Sequence, residues 1–337
     1  MTHISVIICS HNPRPDYLRR VLEALRVQTL PRNRWELLLV DNASRQCLAD
    51  SWDLSWHRSH AHIRENELGL TPARLRGIKE ATGSLLVFLD DDNVLAPDYL
   101  EHVIALEQTY PYLGVLGAGV LEPEFEIEPA PELVPLLRHL AIRSSSSRFW
   151  TNNPRDSRCV PWGAGLCVTR AIAVAYTQAL ARLKISHLLD RRGERLFCGG
   201  DDLFSWVSAR LGCGFGVFPE LRITHLIGAH RLTRAYFLRL VHDHAYSHGI
   251  LRYLCFGEQQ NGHGVEAMAR MVLHGMRRGL FSMRCQWAEA RGARSAGLFL
   301  ARQRMHPIKA QSRAAALSNV LPMVQAAGEL YRLLDGL

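Results

Sequence analysis

The sequence predicts an α/β fold, and three observations carry that expectation. Short apolar runs recur at residues 4–9 (ISVIIC), 36–40 (ELLLV) and 85–89 (LLVFL). Each ends in polar residues: Ser10, His11 and Asn12 after the first, Asp41 and Asn42 after the second, Asp90, Asp91 and Asp92 after the third. Between them lie stretches with apolar residues at helical spacing. Strands alternating with helices point to parallel pairing, and in such sheets ligands sit beyond the carboxyl ends of the strands, where all three polar clusters fall.

The elements follow in order. Residues 16–28 place Tyr17, Leu18, Val21, Leu22 and Leu25 on one helical face. A second helix is expected over 71–81, with Thr71 as N-cap and Pro72 in its first turn. The strand at 85–89 follows, and Pro97 opens another helix. From 121 to 160 the composition turns to Pro, Glu and Ser ("EPEFEIEPAPELVP", "RSSSSRFWTNNPRDSR"), the pattern of an irregular insertion. Regular structure resumes at "WGAGLCVTR" and in a helix over 201–211, and from about Arg234 the pattern is helical with Arg on the polar faces. The expected organisation is a core domain over 1–233 and a basic, mainly helical extension over 234–337.

Bulk properties bound the function. A chain of 337 residues with 47% apolar and 21% charged content suits a packed core rather than disorder. No stretch approaches the roughly 20 apolar residues that cross a bilayer, and the first residues lack a basic segment followed by a cleavable apolar one, so a cytoplasmic location is expected. Eight cysteines without a CxxC pair suit reduced core residues better than a zinc site or a disulfide framework. The net charge is +8, and residues 251–337 hold 12 Arg and Lys against 5 Asp and Glu. Such a stretch is either an Arg-rich solvated surface or a peripheral contact with the anionic inner face of a membrane or a charged acceptor. Nucleic acid is not an expected partner, because the charge lacks interleaved aromatic platforms.

The acidic cluster carries the chemistry. Three adjacent carboxylates repel one another, so the site raises some of their pKa values or recruits a cation. Mg²⁺ or Mn²⁺ shared with a diphosphate resolves the conflict, since such ions keep positions for water and substrate. The competing reading makes Asp92 or Asn93 the solvated cap of the following turn. In "CGGDDLFSWVSARLG" (198–212), Asp201 and Asp202 open a helix whose dipole keeps a carboxylate ionised, and such an Asp can take a proton from a hydroxyl; alternatively the pair is a plain acidic cap. His225, after an apolar run, is either a packed residue or a metal ligand through its neutral imidazole.

The ordered motifs "SVIICSHN", "LLLVDNAS", "ENELGLTPARLRGIKEATGSLLVFLDDDNVL", "WGAGLCVTR" and "GGDDLFSWVSARLG" resemble family 2 glycosyltransferases over about residues 3–230. The resemblance implies the GT-A fold, a Rossmann-like mixed sheet flanked by helices. It implies inverting transfer of a sugar from a nucleotide-diphosphate donor to a hydroxyl of a glycan, lipid-linked or other acceptor, with Mg²⁺ or Mn²⁺. Ser10, His11, Asn12 and Asp41 would hold the nucleobase, and Asn66, Gly69 and Arg74 would approach the nucleotide. Asp90 and Asp92 match the outer acids of a DxD motif, with Asp91 between them on the donor side and Asp92 as direct metal ligand. His225 would complete the metal shell. Trp162, Gly163, Ala164, Gly165 and Asp201 would face the acceptor, and Asp202 would be the general base. His11 departs from the aromatic residue common in the first loop, Asp201 stands where Glu is usual, and no Asn follows Arg74. A glycan-binding protein that has lost the reaction, or a sugar nucleotidyltransferase, are the alternatives; the second normally has a Gly-rich phosphate loop, which "CSHNPRPDYL" is not.

Overall fold

The computed structural model describes residues 3–183, 185, 188–258, 279–303 and 305–307. The three apolar runs are strands: β1 (Ile4–Ser10), β2 (Trp35–Asn42) and, after the third strand β3 (His60–Glu65), β4 (Leu85–Asp90). They pair in parallel in the order β3-β2-β1-β4. The register sets Ser10 opposite Asp41 and Cys9 opposite Asp90, so the polar ends of all three strands reach the same rim.

β1 and β2 are buried along their whole length. Alternate side chains enter two cores on opposite faces of the sheet, as the two-residue period of a strand dictates. Ile7, Leu38, Val40 and Phe88 join one core; Ile4, Val6, Ile8, Leu37 and Leu39 join the other. The second core is closed by α1 (Pro15–Arg26), through Leu18, Val21, Leu22 and Leu25, and by α3 (Tyr99–Thr109). The first core is closed by α2 (Leu70–Glu80), α4 (Arg170–Leu183) and α5 (Gly200–Arg210), with the Tyr176 and Phe204 rings stacked 3.7 Å apart.

Beyond β4 the sheet departs from pure parallel pairing. β5 (Asn93–Leu95), β6 (Leu113–Phe125), β7 (Arg143–Ser144), β8 (Phe149–Thr151), β9 (Leu166–Thr169) and β10 (Gly214–Ile227) complete it. Its order is β3-β2-β1-β4-β9-β6-β10-β5, with β7 on β6 and β8 on β10. β9 runs antiparallel between β4 and β6, while β6 and β10 are parallel, giving the mixed sheet flanked by helices that the GT-A resemblance implies.

Several expectations are corrected. The helix expected at Thr71 begins at Leu70 with Gly69 at the N-cap; Thr71 instead donates its hydroxyl to Asp190, 2.7 Å away. The helix expected at Pro97 begins at Tyr99. β3 has no counterpart among the expected strands, because this edge strand, HAHIRE, buries only Ile63 and so shows no apolar run. In the stretch read as irregular, β6 continues to Phe125, a 3₁₀ helix spans Val134–Leu140, and β7 and β8 add to the sheet. All eight cysteines are free; Cys9, Cys159, Cys167 and Cys285 are buried as core residues, whereas Cys47 is exposed.

Of the C-terminal region the described residues contain α6 (Arg234–Phe256) and α7 (Leu280–Arg302), which pack on each other. Ile250, Leu251 and Leu254 of α6 and Ala296 and Leu300 of α7 share the first core with Phe204. No helix among the described residues is long and apolar enough to cross a membrane. The rest of the basic stretch, 259–278, 304 and 308–337, lies outside the described residues.

Candidate active site

The rim formed by the strand ends opens into a cleft of about 670 Å³, within the usual range of ligand pockets. Ser10, His11, Gly69, Arg74, Asp90, Asp91, Asp92, Trp162, Gly163, Ala164, Asp201, Asp202 and His225 all line it. Asn12, Asp41, Asn66 and Gly165 do not.

Those four have visible occupations. Asp41 is buried and accepts from the backbone N–H of Ser44 and of Leu48, each at 3.0 Å, and from Arg64. Asn12, with φ 48°, donates its N–H to the Ser44 hydroxyl and accepts from the Arg45 N–H. The first loop and the loop after β2 are therefore one hydrogen-bonded unit, and His11 joins it through Nδ1 and the Asn42 carbonyl, 2.7 Å apart. Asn66 is exposed in the loop after β3. Gly165, with φ 68°, leaves no room for a side chain against Ile223 and Tyr99, whose hydroxyl donates to its carbonyl.

The three carboxylates of the opening cluster have different surroundings. Burial pushes Asp91 up to about 7, helped by Asp92 and opposed by the Ser10 hydroxyl, which donates to it. Asp90 is raised by burial and by Asp92, against the pull of Arg74, Arg191 and His225. Asp92 is also penalised by burial, but His225, Arg231 and Arg191 outweigh that and hold it well below the carboxylate range. The like charges at this strand end are thus pushed apart, Asp90 and Asp91 upward and Asp92 downward.

The pairing of β5 with β10 explains how His225 reaches this cluster from far along the chain. Asn93 lies opposite His225, and the Leu226 N–H donates to the Asp92 carbonyl at 2.8 Å. His225 Nε2 comes 3.5 Å from Asp92 Oδ2. Arg231, in the 3₁₀ turn Ala229–Arg231, places Nη1 2.9 Å from Asp92 Oδ2 and 3.1 Å from His225 Nε2. The protein thus sets a positive charge of its own between these two atoms, a stand-in for the cation expected there. A carboxylate oxygen and an imidazole nitrogen facing one position fit a divalent ion. Among the described residues no group of three or more His, Cys, Asp or Glu is placed to hold a metal ion, so further ligands would come from diphosphate and water.

Across the cleft, α5 begins after Gly199, whose φ of 106° suits glycine. Asp201 accepts from the Gly163 N–H at 2.9 Å and so ties the WGAG loop to the helix start. A side chain at Gly163 would collide with Arg74. Trp162 is covered by Arg143, whose guanidinium lies 3.8 Å from the ring centre. Asp202 is raised to about 6 by burial, with His248 pulling it down and Asp201 and Asp190 pushing it up.

Sequence reasoning missed Asp190, Arg191, Arg231, His139, His244 and His248, all of which line the cleft. Asp190 and Arg191 sit in a stretch without periodicity, and the histidines of α6 belong to a region read as helical with Arg on its polar faces but matched to no motif. Asp190 is raised to about 6 by burial, countered chiefly by Arg74, which is itself buried and 3.5 Å away. Arg74→Met leaves that acid without its cation and is expected to cost about 3–5 kcal/mol near neutral pH. Without Arg74 the folded-state pKa of Asp190 rises further above its unfolded value. The destabilisation should therefore be smallest near pH 4 and grow as pH rises through 6 to 8, which urea unfolding at both pH values would measure.

The fold and cleft define an α/β protein whose polar groups gather at the strand ends of a parallel half-sheet. Residues 5–142 match the model of the family described as Glycosyl transferase family 2. It is similar to "Glycosyltransferase AglE" of Haloferax volcanii, 30% identical over 105 residues, which are 30% of this chain and 34% of that protein. It is also similar to "O-antigen biosynthesis protein RfbC" of Myxococcus xanthus, 26% identical over 207 residues, 58% of this chain and 15% of that one. The chain thus spans about a third or less of these relatives. Among solved structures, "Mannosyltransferase PcManGT from Pyrobaculum calidifontis in complex with GDP-Man and Mn2+" is 16% identical, with a TM-score of 0.49, covering 96% of this chain and 80% of that one.

Proposed function

We propose that this protein is an inverting glycosyltransferase of glycan, polysaccharide or glycolipid biosynthesis, moving a sugar from a nucleotide-diphosphate donor to an acceptor hydroxyl. The observation that carries the reading is the position of two acids in one cleft. Asp92 lies at the strand ends beside His225 and Arg231, and Asp202 lies at the start of α5 on the side of the WGAG loop.

In this reading the hydrogen-bonded loops around Ser10, His11 and Asn42 receive the nucleoside, and Arg191 and Arg231 face the diphosphate. Asp92 and His225 would hold a Mg²⁺ or Mn²⁺ ion, which when bound offsets the charge growing on the leaving diphosphate. Asp202 takes the proton of the acceptor hydroxyl, whose oxygen attacks the anomeric carbon from the face opposite the diphosphate. Trp162 and the loop fixed by Asp201 form the acceptor side.

A thermal-shift panel of nucleotide sugars with Mn²⁺ tests the donor. A donor present at about 100 times its Kd stabilises the folded form by about 2.7 kcal/mol and so raises Tm. A panel of UDP-, GDP- and dTDP-sugars without any Mn²⁺-dependent shift contradicts the reading. Release of free sugar or transfer from the binding donor separates an enzyme from a non-catalytic binder, and formation of nucleotide sugar from nucleoside triphosphate would indicate the nucleotidyltransferase instead.

A further inference from the structure

Asp202 belongs to a crowd of acids. Asp201 adjoins it on α5, and Asp190 and Cys198 face it from the segment that leads into the helix. Cys255 faces it from α6. The cations nearby are engaged elsewhere: Arg74 with Asp190, Arg143 over Trp162, and Arg191 toward Asp90 and Asp92. Arg210, at the far end of α5, lies over Trp206.

Among the described residues one basic side chain meets the Asp202 carboxylate directly. His248 of α6 puts Nδ1 3.5 Å from Asp202 Oδ2, at the solvent side of the cleft, where its side chain is 46% exposed. Two further imidazoles stand behind it: the His244 ring is 6.2 Å from that of His248, and the His139 ring, from the 3₁₀ helix, is 5.9 Å from that of His244. Burial, with Arg138 and His248 beside His139 and with His248 beside His244, lowers His139 to about 4 and His244 to about 3. At neutral pH these two carry no charge, which leaves the pairing to His248.

The approach of α6 to α5 is fixed by contacts independent of any charge. Leu251 packs so closely on Gly199 that a side chain there would collide with it. Ser247 accepts from the Cys198 N–H at 3.2 Å, and Asp243 accepts from the Leu196 N–H at 2.8 Å. Three successive turns of α6 therefore grip the segment that leads into Asp202, and the register of the helix sets His248 against the carboxylate.

We propose that His248 is the positioning residue of Asp202, its imidazolium serving as the counter-charge that keeps the carboxylate ionised and aimed into the cleft. The inference rests on Asp202 being the base, and gives the C-terminal helix a part in the reaction. During transfer the acceptor O–H bond breaks, its proton moves to Asp202, and the oxygen bonds to the anomeric carbon as the bond to the diphosphate breaks. Asp202 then gives up the proton to water, which the positive charge beside it favours.

The experiment is an infrared pH titration of the Asp202 carboxyl, isolated as the difference between each protein and its Asp202→Asn counterpart, for the wild type, His248→Gln and His248→Lys. It needs no donor. The midpoint near 6 should rise by about one pH unit in His248→Gln, because an opposite charge at this distance has been removed. It should fall back in His248→Lys, and the acid limb of kcat/KM should move with it. An unchanged midpoint in His248→Gln, or one that His248→Lys leaves raised, overturns the proposal. Full turnover by Asp202→Asn is a separate result: it would end the base assignment while leaving the titration readable.

Discussion

Asp202→Asn is expected to lower turnover by about 10² to 10⁴ while leaving donor binding close to wild type, because general-base help is worth roughly that factor. Asparagine keeps the shape and cannot take the proton. The acid lies at the first turn of α5, on a different element from the strand-end carboxylates, and none of their hydrogen bonds or ion pairs among the described residues runs to it, so the donor pocket keeps its contacts. The pH dependence follows from the same residue. Burial holds Asp202 near 6, and only the ionised form accepts a proton. Free-enzyme kcat/KM should therefore fall about tenfold per unit below pH 6, and this limb should be absent from whatever residual rate Asp202→Asn retains. A comparison of kcat/KM from pH 5 to 8 in the two proteins measures both effects.

The second large effect is at Asp92. Asp92→Ala is expected to weaken Mn²⁺-dependent donor binding as well as turnover, which distinguishes it from the loss at Asp202. Asp92 is the member of the strand-end cluster held below the usual carboxylate range, and its carboxylate faces both His225 and Arg231. Its removal leaves Arg231, buried at 5% exposure, without its acid. Leaving a buried charge unpaired costs about 3–5 kcal/mol, so Tm should fall too. Asp92→Asn keeps the volume and gives a cleaner reading of the metal: the Mn²⁺-dependent Tm shift by donor should be lost while the fold persists. An Asp92→Asn protein with the wild-type Mn²⁺ response would move the metal away from this residue.

The parallel half of the fold was legible because β1, β2 and β4 are buried on both faces and read as unbroken apolar runs. β3 was not, since an exposed edge strand has no such run, and Thr71 was misread because its hydroxyl serves a tertiary contact with Asp190 rather than the helix end. The cleft divides in the same way. The strand-end acids and the pair that opens α5 stood out as local charge patterns, and register then brought His225 to Asp92. Arg231, Asp190 and His248 carry no local pattern: each matters through a partner far away in the chain, and pairing at long range leaves no periodicity to read. Asp41 shows the opposite case, a conspicuous acid at the end of β2 whose oxygens are engaged by the loop that follows.

Turnover of the donor found by thermal shift, measured side by side for the wild type, Asp202→Asn and Asp92→Asn with Mn²⁺, addresses the two-acid cleft most directly. The predicted result is nucleoside diphosphate release slowed about 10²-fold or more in both variants, with Asp202→Asn still binding donor and Asp92→Asn not. Release at the wild-type rate by either variant would contradict it.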